Sequence, residues 1–244
     1  FADRAGGVTR LLAAAKRARP LASGRDAQGL PVRLWRLDDP RAVAALERLL
    51  ARETLLIADG HHRYEVGRAY WEATRRRGAG RLLAFLVSER DPGLVVLPTH
   101  RVVKPTPALR RRLTSSCCAR PVRSLTPLAR AASPYAFVLG EGKGLSLMTP
   151  RPGDKGVRSG FATDWLARRL LAGVDPHDIA YFHDAADALR EARRTGALAL
   201  VLKDFAVGDI RRAVLKAGLL PQKSTYFHPK VPTGLAFRSF DLDP

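Results

Sequence analysis

Thr54-Leu55-Leu56-Ile57-Ala58-Asp59-Gly60-His61-His62-Arg63-Tyr64-Glu65 sets a short, apolar, β-prone run directly before a polar, cationic turn. After the turn Val66, Ala69, Tyr70 and Ala73 recur at helical spacing. The stretch predicts a strand over 54–58, a junction at Asp59-Gly60 and a helix from about Arg63 to Arg77. A helix start leaves its first N–H groups unpaired and carries partial positive charge, so an anion beside Gly60, His61 and His62 is held by geometry and field together. Arg63 adds a forked cation. Cations at a helix N-terminus work against the helix dipole, which makes His-His-Arg a costly choice there unless an anion binds. The plainer alternative makes Asp59 an N-cap and the three cations a solvated first turn.

Working outward, Val8, Leu11, Leu12 and Ala15 predict a helix closing near Pro20, followed by a strand at 32–37 and a helix from Asp38-Asp39-Pro40 to Leu50. Gly78 and Gly80 end the helix after the His-His-Arg turn, and Leu82 to Val87 reads as a further apolar strand. Asp91-Pro92-Gly93 is a tight turn, and the strand resuming at Leu94 carries Pro98-Thr99-His100-Arg101 at its tip. Residues 105–134 hold Pro105, Pro107, Pro121, Pro127 and Pro134 and read as an irregular connection, dividing a region 1–104 from a second domain 135–244. In the second half strands at 135–139, 145–149, 179–182 and 198–202 alternate with helices around 165–171, 185–194 and 207–216. A polar, aromatic segment from Pro221 to Lys230 follows, and Gly234 to Phe237 reads as a last strand. The alternation predicts an α/β fold, with α+β the variant.

The chain of 244 residues is long enough for one large core or two ordinary ones, and 46% hydrophobic residues fit a globular protein. No apolar run approaches the ~20 residues that cross a bilayer, so the expectation is a cytoplasmic protein without a membrane partner. Lys+Arg of 42 against Asp+Glu of 23 gives +19, which ordinarily points to nucleic acid. Only eight of the 42 are Lys, and Arg arrives in Ala/Leu-rich runs such as 75–77, 110–112 and 192–194, so solvated helix faces are the favoured reading. Cys117 and Cys118, adjacent and alone, have the spacing of neither a zinc knuckle nor a redox pair, and reduced, partly buried thiols are expected.

Three clusters carry chemistry: Asp59 to Glu65, Thr99 to Arg101 and Lys223 to Lys230. Each sets cations and hydroxyls beside the end of an element, which is the equipment for holding phosphoryl oxygens. Glu65 or Asp59 could accept a hydroxyl proton, and Asp59 could hold Mg²⁺ with a nucleotide, while Glu65 as a first-turn helix acid is the structural alternative. His61, His62 and His100 with Asp59 could instead ligate a metal, but no H-E-x-x-H spacing is present. Lys223-Ser224-Thr225 lacks the glycine-rich loop that a P-loop requires.

The stretches IADGHHRYE (57–65), DPGLVVLPTHR (91–101) and LPQKSTYFHPKVPTGLAF (220–237) closely resemble, in order and across nearly the whole chain, the bacterial and archaeal family known as domain of unknown function 1015. Members of that family carry a further N-terminal region, so by this resemblance a chain starting at Phe1 reads as the C-terminal part of a longer protein. The Asp-Gly-His-His-Arg turn is also similar to the signature of the ParB-like and sulfiredoxin superfamily, a group that includes free serine kinases and partition CTPases. That likeness implies a ParB-like α/β layer followed by a second small α/β domain, with Gly60, His61, His62 and Arg63 as a phosphate cradle.

The leading expectation is a nucleotide-dependent phosphotransferase acting on a small hydroxylated metabolite, using ATP, ADP or another nucleotide with Mg²⁺. His62 with Asp59 or Glu65 would serve catalysis, and His100, Arg101, Lys223, Ser224 and Thr225 would complete the nucleotide site. A ParB-like DNA-binding or nucleotide-switch module and a metal-dependent hydrolase or nuclease are the alternatives.

Overall fold

The computed structural model describes residues 1–26, 29–218, 220–221, 223–232 and 234–242. Gln222, part of the motif over 220–237, lies outside the described residues. Contacts divide the chain into one unit of 1–94 with 229–244 and another of 95–228. The proline-rich stretch expected as a connection is instead ordered structure inside the second unit. Pro107 is at the start of α4 (Pro107–Ser116), where no N–H is needed and Thr106 caps by accepting from the Leu109 N–H at 3.1 Å. Pro121 lies in β5 (Cys117–Val122), an edge strand, which tolerates a missing donor.

The first unit holds α1 (Gly7–Ala15), the antiparallel hairpin β1 (Ala22–Arg25) with β2 (Pro31–Leu34), α2 (Pro40–Leu50) and α3 (His61–Thr74). Asp39 caps α2 by accepting from the Ala42 N–H at 2.9 Å, with Pro40 following as the first helical residue. The strands expected over 54–58 and 82–87 do not form. Both segments lack regular secondary structure and pair with no strand among the described residues, and Leu55, Ile57, Leu83 and Phe85 are exposed. The run at 234–237 forms no strand either, and Phe237 is exposed. β-propensity reports a fit to a half-buried pleated surface, and these residues have no such surface to join.

The second unit is built on a six-stranded, wholly antiparallel sheet in the order β5-β7-β6-β9-β4-β8. Its strands besides β5 are β4 (His100–Val103), β6 (Phe137–Glu141), β7 (Gly144–Pro150), β8 (Ile179–Phe182) and β9 (Leu198–Leu202). The fold is thus a mixed α/β one of the α+β kind. Strand alternation sends Leu198, Leu200 and Leu202 to one face, against Leu109 and Leu113 of α4 and Trp165, Leu166 and Leu170 around α6 (Ala162–Arg169). Ala199 and Val201 face the other way, against Leu128 of α5 (Thr126–Ala129) and Ala188 and Ala192 of α7 (Ala185–Thr195). Small residues let α7 approach closely: a Cβ added to Gly140 of β6 would collide with Leu189. The Arg194 side chain pairs with Glu191 one turn back and Arg190 with Asp187, so the arginine run on this helix is a solvated face.

The chain enters this sheet through β3 (Val95–Pro98), which pairs with β10 (Thr225–His228) in a separate two-stranded ladder, Thr225 opposite Pro98. Thr99 alone separates β3 from β4. His100 and Arg101 were expected at the tip of a strand; they instead open β4 inside the sheet and are buried, because β4 has β9 on one side and β8 on the other. No helix among the described residues is long and apolar enough to cross a membrane.

Two outcomes follow from this packing. Trp165 is fully buried in the larger cluster, and Trp165→Ala is expected to cost about 3–5 kcal/mol in urea unfolding. His100, pushed down from 6.5 to about 4 mainly by burial, binds fewer protons folded than unfolded between those values. Stability should therefore rise with pH across that window and fall as pH drops through it, by on the order of 3 kcal/mol from this group. His100→Asn, compared with the parent chain over pH 4–7, should flatten the slope by that amount; an unchanged slope would contradict the assignment.

Candidate functional site

In the first unit Gly60 adopts φ 85°, a left-handed conformation that glycine takes without strain, and starts α3 with no side-chain cap. The Asp59 carboxylate accepts from the Gly60 N–H at 3.0 Å, and the first helical bond runs from the Tyr64 N–H to the Gly60 carbonyl. The N–H groups of His61, His62 and Arg63 find no acceptor among the described residues, as the sequence implied. Arg63 folds back over the turn, close enough that a Cβ at Gly60 would stand 2.9 Å from its guanidinium. Lys230 reaches the same turn from far along the chain, its Nζ 3.2 Å from the Asp59 carboxylate, with Arg63 at 3.7 Å.

Burial works to raise the Asp59 pKa, but the Lys230 ammonium, the Gly60 N–H and Arg63 together hold it below the ordinary carboxylate value. A carboxylate so stabilised is a weak proton acceptor. Among the described residues Glu65 faces only His62, at 3.8 Å. The side chains of His62 and Arg63 are 87% and 82% exposed, so these ion pairs contribute little to stability and leave the cations open to a ligand from solvent.

In the second unit the geometry differs in kind. Thr99 is buried, and its hydroxyl has no hydrogen-bond partner among the described residues. His100 Nδ1 accepts from the Leu202 N–H at 3.1 Å, which leaves the ring proton on Nε2. Arg101 is 4% exposed and donates to the carbonyls of Thr99 and, at 3.2 Å, Lys223. Its guanidinium carbon lies 5.7 Å from the centre of the Tyr181 ring, and no carboxylate pairs with it among the described residues. Burial lowers its pKa to about 10, so it stays a cation at neutral pH. A buried guanidinium whose partners are carbonyl oxygens and an aromatic ring is an expensive arrangement.

The segment beyond Arg101's second acceptor is similarly constrained. Lys223 holds φ 57°, unusual for a residue with a side chain. Ser224 is buried, donating to the Pro221 carbonyl at 2.6 Å and accepting from Thr163 at 2.9 Å. Thr225 opens β10, and Tyr226 stacks on His183 with ring centres 3.9 Å apart. Of the residues singled out from sequence, His100, Arg101, Lys223, Ser224 and Thr225 thus assemble within this unit, while Asp59, Gly60, His61, His62, Arg63 and Glu65 form the turn of the other.

Thr163 and His183 were missed, and nothing in the local sequence marks either of them. Among the described residues no three His, Cys, Asp or Glu cluster as metal ligands. Cys117 is buried, with burial pushing its thiol up to about 12, and Cys118 is exposed; both are free.

Among solved structures, a conserved hypothetical protein from Pyrococcus furiosus is similar at a TM-score of 0.48 and 16% identity, over 72% of this chain and 71% of that one. A free serine kinase in complex with AMP aligns at a TM-score of 0.46 and 16% identity, over 70% of this chain and 66% of that one. A variant of a free serine kinase in complex with ADP aligns at 0.47 and 15%, with the same coverage. No curated protein sequence matches the chain. The family model described as "Protein of unknown function (DUF1015)" matches residues 1–202, and the chain belongs to that family.

Proposed function

We propose that this protein is a nucleotide-dependent phosphotransferase that phosphorylates a small hydroxylated metabolite. The single observation that carries the reading is the buried Arg101 guanidinium without a carboxylate partner among the described residues, next in sequence but one to a buried hydroxyl, Thr99, that also lacks a partner. Phosphate suits both groups, since it accepts from a guanidinium fork and from a hydroxyl at once. The uncapped turn of α3, with Gly60, His61, His62, Arg63 and Lys230, is a second anion-binding element by the same chemistry.

In the proposed reaction the substrate hydroxyl oxygen attacks the terminal phosphorus of the nucleotide. A new P–O bond forms, the bond to the bridging oxygen breaks, and the nucleotide leaves one phosphate shorter with the electron pair on that oxygen. The hydroxyl proton goes to Glu65, because Asp59 is held ionised by Lys230 and Arg63. His62 lies 3.8 Å from Glu65 and orients it. In the second unit, taken by itself, His100, Arg101, Lys223, Ser224 and Thr225 form a phosphate-binding cluster. Mg²⁺ at Asp59 fits poorly, since that carboxylate already faces two cations, and no step is routed through it.

Calorimetric titration with ADP, ATP and CTP should give saturable heat with at least one of them. Arg63→Ala and Lys223→Ala, both at exposed side chains, should weaken that binding about tenfold, roughly 1.4 kcal/mol, without shifting Tm. Absence of heat with all three nucleotides would overturn the proposal. In a phosphate-transfer assay Glu65→Gln should lower turnover about 10²-fold or more while nucleotide affinity stays put; equal turnover would remove Glu65 from the base role.

A further inference from the structure

The second unit contains a cavity of about 290 Å³ that the phosphotransfer reading does not use. Its apolar wall is Phe161, Phe205, Leu202 and Ala213, with the two phenyl rings tilted at 59° and their centres 4.7 Å apart. Phe161, Leu202 and Ala213 are buried. A third ring or a branched aliphatic group entering there extends an aromatic contact that is already formed.

The charged part of the lining sorts into groups that are taken and groups that are open. Asp209 accepts from the Ala206 N–H at 2.8 Å and pairs with Arg212, and Lys203 donates to the Ala131 carbonyl at 3.2 Å. Asp204 and Lys216 make no hydrogen bond or salt bridge among the described residues, and both are exposed, with the Asp204 charge felt by His100. The cavity therefore offers a carboxylate and an ammonium with free hydrogen-bonding capacity and an aromatic wall. Buried hydroxyls in the same lining, Ser159 and Thr163, already donate to Asp164 and Ser224 and make no comparable demand.

We propose that this cavity binds a free amino acid with a bulky apolar or aromatic side chain. Its ammonium pairs with Asp204, its carboxylate with Lys216, and its side chain lies against Phe161 and Phe205. One sign of charge alone would leave the opposite wall group unpaired, and a zwitterion without a large side chain would leave the phenyl pair uncovered. Thr163 lines the cavity and donates to Ser224, which follows Lys223, the acceptor of Arg101, so occupancy is one hydroxyl contact away from the proposed phosphate cluster.

The test is calorimetry or saturation-transfer NMR on the full chain without nucleotide, using L-phenylalanine, phenethylamine, which lacks the carboxylate, and 3-phenylpropanoate, which lacks the ammonium. L-phenylalanine should bind saturably and each single-charge analogue about tenfold or more weakly. Asp204→Asn and Lys216→Gln should each weaken L-phenylalanine about tenfold, and Lys216→Gln should leave nucleotide titrations unchanged. No saturable binding of L-phenylalanine, or binding indifferent to both substitutions, overturns the proposal. Because no nucleotide is present, a failure here leaves the phosphotransferase reading standing, and the reverse also holds.

Discussion

The second unit turns on a single residue, Thr99, at which one continuous stretch of chain changes ladders. Before it, Val95 to Pro98 pair with Thr225 to His228; after it, His100 to Val103 run between two strands of the main sheet. At the change the His100 imidazole takes over the Leu202 N–H, so a side chain does the work of a peptide carbonyl. The switch carries two consequences. It brings the Thr-His-Arg motif against Lys223 to Thr225, and it drives a charged residue, Arg101, into the interior of a six-stranded sheet. Everything argued about anion binding in this unit descends from that burial.

The net charge of +19 suggests a polyanion partner, yet many of the arginines have partners within the chain. Arg168, Arg190, Arg194 and Arg212 pair with carboxylates one turn away on their own helices. Arg112 and Arg151 donate to backbone carbonyls. Charges that are exposed and paired say little about function. The informative ones are few: Arg101, buried and without a carboxylate partner among the described residues, and the basic residues around Gly60, which stand at a helix start that lacks a side-chain cap.

What could be read from the sequence follows physical lines. Apolar runs of strand length, such as 179–182 and 198–202, and helices with strong caps, such as Asp39-Pro40 and Asp184 to Gly196, fall where pattern and capping put them, because burial and local chemistry agree there. The segments 54–58 and 82–87 carry the same apolar signal and form no ladder, since pairing is a non-local property that propensity does not encode. Prolines misled over 105–134, because a proline at a helix start or on an edge strand is compatible with order. For the site, the residue types and the clusters were legible. The burial of Arg101 and the loss of a partner at Thr99 were not, because charge and hydroxyl alike read as surface until the sheet order is known.

The most direct measurement of the central claim is the Nε–Hε resonance of Arg101 in a ¹H–¹⁵N spectrum, assigned by comparison with Arg101→Lys, as pyrophosphate is added to the full chain. If the guanidinium is an unfilled phosphate site, that resonance moves saturably and the shift is absent with sodium chloride at matched ionic strength. A resonance that stays in place through saturating pyrophosphate, or that follows ionic strength alone, would mean that Arg101 is a structural strut holding Thr99 and Lys223 and that the phosphate account is wrong.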